Sequence, residues 1–213
     1  MMNTVTDWYS YEKKAAAEGV GPVCGIDEAG RGPLAGPVFA AAVVLPAGVE
    51  IPGVNDSKKL SAKQREALFD VIVSSAADYG IGFADEKEID RLNILNATFL
   101  AMRRAVANLA KLVPQAALVD GNRDPGLGIP TLCIVGGDAQ CASVAAASIL
   151  AKVSRDRYMA RLDEEYPQYD FARHKGYPTK LHYERLLQYG VSPVHRRSFL
   201  KNLEEKRAKY GRA

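Results

Sequence analysis

Cysteine is scarce in this chain, and what there is does not pair. Cys24, Cys133 and Cys141 are an odd number with no C-x-x-C spacing. That argues against a disulfide framework and against a C-x-x-C-type zinc site. Two of them lie in apolar runs and read as small core residues in a reducing compartment. Long hydrophobic runs are also missing: the longest, residues 38–45, is far too short to cross a bilayer. The opening MMNTVTDWYSYEKKAAAEG has no apolar segment of the secretory kind, so a cytoplasmic protein with no membrane contact is expected. The sequence also lacks internal repeats, low-complexity linkers and a P-loop.

What is present is ordinary in amount and uneven in placement. The 213 residues are 47% hydrophobic and 25% charged, enough to bury a core without staples. One domain over residues 1–213 is expected, with a core at about 20–165 and a basic helical part at about 166–213. From Asp170 to Ala213 there are eleven Lys and Arg against four Asp and Glu, a net +7, which leaves −4 for the rest of a chain whose total is +3. A basic segment beside an acidic body suits a protein that holds a polyanion with one part and cations with another. From the charge alone, a solvated basic tail is the better explanation.

The pattern predicts a partly helical lead-in over residues 1–20 and strands at 23–27, 37–45, 79–84, 116–120 and 131–135. Helices are predicted at 61–76, 86–92, 94–112, 139–166 and 179–189. Ser61 and Gln64 fit a capping box that opens the first of these, and Pro114 follows the third. The mixed order of strands and helices makes the chain α/β or α+β with a mixed sheet, since the first two strands form a hairpin.

Carboxylates recur where apolar strands end. Asp27 and Glu28 close the first strand just before a glycine-rich turn, and Asp120 closes the fourth before Gly-Asn. Ligands commonly sit at such strand ends. Asp138 follows the fifth strand through two glycines and precedes a helix, so it competes with a helix N-cap reading. Neighbours on a strand point to opposite faces, so whether Glu28 reaches the site directly stays open. Converging carboxylates repel, and oxygen-only donors suit Mg²⁺ or Mn²⁺, two of which are the usual clamp for phosphoryl displacement. Asp56, Asp85 and Asp124 sit in turns and are set aside. Beside the acids, Gly30-Arg31-Gly32 offers close backbone approach and a phosphate fork. Lys58 precedes a helix N-terminus, and Tyr177, between Gly176 and Pro178, is placed either to stack on a sugar or base or to fill the core.

Taken together, DEAGRGPLAGPV, NDSKKL, LVDGN, GD, AASILAKVSRD, HKGYPT and HRRSF, in order over residues 23–199, closely resemble the type 2 ribonucleases H, ribonuclease HII. The resemblance implies a ribonuclease H-like fold, a five-stranded mixed sheet flanked by helices with a helical C-terminal part. It implies cleavage 5′ of ribonucleotides in RNA–DNA hybrids and of single ribonucleotides in duplex DNA, leaving 3′-OH and 5′-phosphate ends. Asp27, Glu28, Asp120 and Asp138 would be the catalytic, metal-binding carboxylates, with Mg²⁺ or Mn²⁺ as cofactor. Gly30, Arg31, Gly32 and Tyr177 would sense the RNA–DNA junction, Lys58 would contact substrate, and the protein would be a monomer. Two positions depart from the family pattern: Gly136 stands where lysine is common, and Ala139 where a polar residue is usual. The tail KNLEEKRAKYGRA lacks paired aromatics, so no sliding-clamp contact is expected through it. The type 3 ribonucleases H, a catalytically silent nucleic-acid-binding protein and a small-molecule phosphatase are the rival readings.

Overall fold

The computed structural model describes residues 7–54 and 60–210, with side chains through residue 206. Strands β1 (Val23–Ala29) and β2 (Val38–Val44) form the expected hairpin, and β3 (Asp78–Ala84) continues it antiparallel on the outer side. On the other side β4 (Ala116–Asp120) pairs parallel with β1, and β5 (Thr131–Ile134) pairs parallel with β4. The order is β3-β2-β1-β4-β5, the mixed sheet anticipated from the sequence.

Eight α-helices are described: α1 (Ser10–Ala17), α2 (Ala62–Ser75), α3 (Glu86–Leu92), α4 (Ile94–Ala107), α5 (Ala142–Glu165), α6 (Phe171–His174), α7 (Lys180–Tyr189) and α8 (Leu203–Tyr210). One face of the sheet, through Ile26, Ala40, Ala42 and Val119, packs on Ala97, Ala101 and Met102 of α4. The opposite face, through Ala41 and Val43, packs on Ala146, Ile149 and Leu150 of α5 and on Ile72 of α2. Alternation along each strand thus feeds two apolar layers. Small residues let α5 come close: a Cβ on Gly25 would lie 2.2 Å from the Ser143 carbonyl carbon, so only glycine fits there. The C-terminal elements cover the second half of α5, where Met159 and Leu162 meet Tyr169, Phe171 and Leu186. None of the helices among the described residues is long and apolar enough to cross a membrane.

Three boundaries differ from the sequence pattern, each for a tertiary reason. β1 continues past Asp27 to Ala29, because β2 keeps offering it a partner as far as Phe39. The helix predicted to reach residue 112 stops at Ala107. Asp78 takes the backbone N–H groups of Lys111 at 2.7 Å and Leu112 at 2.9 Å, and draws that segment out of the helical path. The long helix begins at Ala142 rather than 139, since Gly137–Ala139 form a separate 3-10 turn. Its N-terminus is satisfied from across the chain. Glu12 of α1 accepts the Ser143 amide at 3.0 Å, the Ser143 hydroxyl at 2.7 Å and the Cys141 thiol at 3.1 Å. The capping box at Ser61 and Gln64 is formed as read.

Candidate active site

The parallel ladder between β1 and β4 ends at Ile26 opposite Val119. The next residue on each strand is a carboxylate, Asp27 on one and Asp120 on the other, so the two lie side by side on the same face. That face looks toward α5: Ser143 of that helix meets Gly25, and Ser148 hydrogen-bonds the Asp27 side chain. Asp120 Oδ1 accepts the Gly137 amide at 2.7 Å, which brings the 3-10 turn carrying Asp138 against the end of β4. Asp138 is buried within that turn, and the N-cap of α5 is Cys141, so the competing N-cap reading of Asp138 does not hold. Gly136 opens the turn with φ of 68°, a left-handed conformation that favours glycine. Gln140 then ties the turn down by donating to the Val135 carbonyl at 2.8 Å and the Gly136 carbonyl at 3.1 Å.

Burial, followed by the charges of Glu28 and Asp120, pushes the Asp27 carboxyl well above the usual carboxylate range. The Glu28 amide, at 2.7 Å, and Ser148 pull in the opposite direction. Glu28, the next residue on the strand, adds its charge at Asp27, and its side chain meets Arg31 at 3.3 Å. Among the described residues no three His, Cys, Asp or Glu side chains are already drawn into a metal cage. The donor chemistry nevertheless fits a hard divalent cation. The donors are oxygens only, held on strands and on the 3-10 turn beside them, and the repulsion at Asp27 is of the kind a cation relieves.

The Gly30-Arg31-Gly32 turn follows directly, and two fully buried arginines hold it from behind. Arg196 donates to the carbonyls of Gly30 at 2.7 Å, Arg31 at 2.9 Å and Gly36 at 2.8 Å. Arg155 donates to those of Pro37 at 3.1 Å, Ala35 at 3.2 Å and Lys175 at 3.0 Å. Gly30 has φ of 95°, and a Cβ there would collide with the Arg155 side chain. The same arginine lies 5.7 Å from the centre of the Tyr177 ring, whose edge comes to 4.0 Å from a Cβ built on Gly32. Tyr177 is 38% exposed, so it is a surface ring beside the glycine turn rather than a core residue.

Residues 24–202 match the sequence profile described as Ribonuclease HII. The chain belongs to the ribonuclease HII family. A ribonuclease HII of Acetivibrio thermocellus is 54% identical over 94% of this chain and 78% of its own length. The crystal structure of the ribonuclease H2 from Pyrococcus horikoshii OT3 superposes with a TM-score of 0.70 at 31% identity, covering 88% of this chain and 99% of that one. The structure of Bst-RNase HIII in complex with Mn²⁺ gives a TM-score of 0.65 at 19% identity over 93% of this chain and 73% of that one, a likeness of fold alone. The fold is therefore ribonuclease H-like, and the chain is a nuclease, an endoribonuclease of the ribonuclease H class. The sequence match is to type 2.

Of the residues singled out in the sequence of this ribonuclease HII, Glu28 and Asp120 both stand within electrostatic reach of Asp27, and the turn of Asp138 joins Asp120 through Gly137. The glycine turn and Tyr177 come together as a second cluster next to the first. Lys58 lies outside the described residues, as does Asp56. Asp85 is the N-cap of α3, and Asp124 closes a turn by accepting the Gly126 amide. Sequence reasoning assigned no role to Ser148, Arg155 or Arg196. The last two sat in plain view within the AASILAKVSRD and HRRSF motifs, but their partners are backbone carbonyls, which leave no mark in sequence. The one available signal was Arg155, an arginine at an otherwise apolar helical position.

Proposed function

We propose that this ribonuclease HII hydrolyses the phosphodiester bond 5′ of ribonucleotides, both in RNA–DNA hybrids and at single ribonucleotides embedded in duplex DNA. The products are 3′-OH and 5′-phosphate ends, and the task it serves is removal of ribonucleotides misincorporated into DNA. Asp27, Glu28, Asp120 and Asp138 are the carboxylates that hold two Mg²⁺ or Mn²⁺ ions. The observation that carries this reading is the in-register pair Asp27 and Asp120, anchored at the end of a parallel ladder with burial and like charge raising the Asp27 carboxyl. A manganese complex of the type 3 fold relative is consistent with it.

When bound, such ions supply a water acidic enough to attack at neutral pH and positive charge at the leaving oxygen. The chain's own residues do the rest. Asp27 and Asp120 fix one face of the site, because both are on strand backbone rather than on a loop. The Gly137 amide turns Asp120 toward the turn of Asp138. The half-exposed Arg31 guanidinium forks onto a phosphate oxygen, and the backbone of Gly30 and Gly32 comes close enough to read a ribose 2′-OH. The Tyr177 ring stacks on the sugar or base at the junction. The basic C-terminal part follows the nucleic-acid backbone.

The test is cleavage of a labelled DNA duplex carrying one ribonucleotide, beside a uniform hybrid and an all-DNA control, with Mg²⁺, Mn²⁺ or EDTA. Cutting 5′ of the ribonucleotide with either ion and none in EDTA is expected, with a loss of roughly 100-fold or more in Asp120→Asn. Cutting confined to long hybrids sinks the single-ribonucleotide half of the reading. Binding without cutting of either substrate overturns it altogether.

A further inference from the structure

We propose that His195 and His182 form a neutral hydrogen-bond relay, with His174 stacked against it, that positions Tyr177, and through it the discrimination of a single ribonucleotide from a continuous hybrid. The proposal rests on the reading of Tyr177 as the residue at the junction.

The hydrogen bonds leave one choice of tautomer for each ring. The Ser192 amide, which can only donate, points at His195 Nδ1 at 3.1 Å, and the Ser192 hydroxyl lies 2.7 Å from the same atom. His195 Nδ1 therefore accepts, and its proton sits on Nε2. That Nε2–H faces His182 Nε2 at 3.0 Å, which must accept in turn. The His182 proton is then on Nδ1, 3.0 Å from the Tyr177 carbonyl, a group that can only accept. Read from either end, the chain gives the same protons. His174 is fixed separately: the Gly176 amide donates to its Nδ1 at 3.1 Å, so its Nε2–H donates to the Tyr169 carbonyl at 2.8 Å.

A charged ring breaks this arrangement. Protonated His182 would turn one N–H onto another, and His174 stacks on His182 at 4.3 Å and 19°, where two cations repel. Phe171 packs edge-on against both rings, and all three histidines are buried. Burial accordingly lowers all three, His182 to about 3 and His195 to about 4.

The relay ends on Tyr177. The Gly176 amide before it is held by His174, its own carbonyl accepts both His182 and the Thr179 amide at 2.8 Å, and its amide donates to the His174 carbonyl at 2.9 Å. The Gly176 carbonyl accepts the Leu34 amide at 2.8 Å, tying the turn to the glycine loop. The backbone of Tyr177 is thus fixed on each side, while its ring projects beside Gly32. This is how a rigid reader is built: the aromatic is aimed before substrate arrives.

The experiment compares kcat/KM on the single-ribonucleotide duplex and on a uniform hybrid for His182→Leu, His182→Asn and Tyr177→Ala, singly and with Tyr177→Ala combined with His182→Leu. The expected result is that His182→Leu lowers the single-ribonucleotide to hybrid ratio about tenfold. His182→Asn, which keeps an N–H near the Nδ1 position, recovers most of it. Tyr177→Ala lowers the ratio as well, and adding His182→Leu to it changes the ratio no further. A parallel loss on both substrates overturns the proposal, since that is what a merely structural histidine gives. No change of ratio in Tyr177→Ala overturns it through the reading of Tyr177 itself. A change in Tyr177→Ala but none in His182→Leu overturns the relay alone. Should the leucine variant not fold, imidazole ¹⁵N shifts of the wild-type protein at pH 7 decide: Nδ1–H for His182 with Nε2–H for His174 and His195 supports the relay, and any imidazolium or reversed tautomer sinks it.

Discussion

Asp27 is folded into a position that its own neighbours make unfavourable. Burial and the charges of Glu28 and Asp120 raise its carboxyl well above the ordinary value, so the folded protein holds a proton there more tightly than the unfolded chain does. A raised carboxylate removes stability as pH climbs from the unfolded value of 3.8 toward the folded one, and the loss is complete above that. Asp27→Asn keeps the shape without the charge. It is expected to abolish cleavage yet to stabilise the metal-free protein at neutral pH by about 1–2 kcal/mol, read as a higher unfolding midpoint in EDTA. An unchanged or lower midpoint would show that the acids do not strain one another. The acids stood out in sequence because Asp27, Glu28 and Asp120 follow apolar strand residues and Asp138 follows the fifth strand through two glycines. Ser148 was not, for its partner comes from a strand more than a hundred residues earlier.

At the scale of the element, the glycine turn is a loop whose shape is imposed by two guanidinium groups. Burial, and then the charge of Arg155, lowers Arg196 to about 9, still charged at neutral pH. Its three carbonyl contacts replace the water it lost. Arg196→Met would leave those carbonyls unpaired in the interior, a loss on the order of 3 kcal/mol or more, equivalent to roughly 6–12 °C in Tm for a chain of this size. Arg196→Lys is not expected to rescue it, because an ammonium cannot fork across three acceptors. Thermal unfolding of both variants checks this, and a lysine variant as stable as the wild type would show that charge, not the planar fork, holds the loop. The glycines themselves were readable as a place of close approach. What approaches them was not, because Arg155 and Arg196 arrive from more than a hundred residues further along.

Over the whole molecule, the three buried histidines set a direction for stability against pH. Each is neutral when folded and titrates near 6.5 when unfolded, so the unfolded chain binds more protons below that value. Stability is expected to fall as pH drops below about 6.5, by up to about 1.4 kcal/mol per pH unit for each histidine. For His182 and His195 the fall continues to about 3 and about 4. Asp27 acts in the opposite sense, so the net slope is shallower than the histidines alone would give. Urea midpoints at pH 7, 6 and 5 measure this, and a flat profile between 7 and 5 would mean that the rings are not buried neutral. At this scale the sequence was most readable. Strand number, sheet type and helix order follow from apolar period and turn residues, which act locally. The histidine core was not readable, since the three residues share no spacing that marks them as neighbours.

The clasp between α1 and α5 also has a consequence in time. Glu12 meets its donors on Ser143, 131 residues later in the chain. At on the order of 5–20 residues per second of synthesis, a newborn chain carries that carboxylate unengaged for roughly 7–26 seconds. The first helix is therefore among the late pieces to settle, and it settles against the helix that follows Asp138. The order of translation thus makes the fourth acid and the seat of its neighbouring helix arrive together, and the nuclease is assembled only after most of its own length has been read.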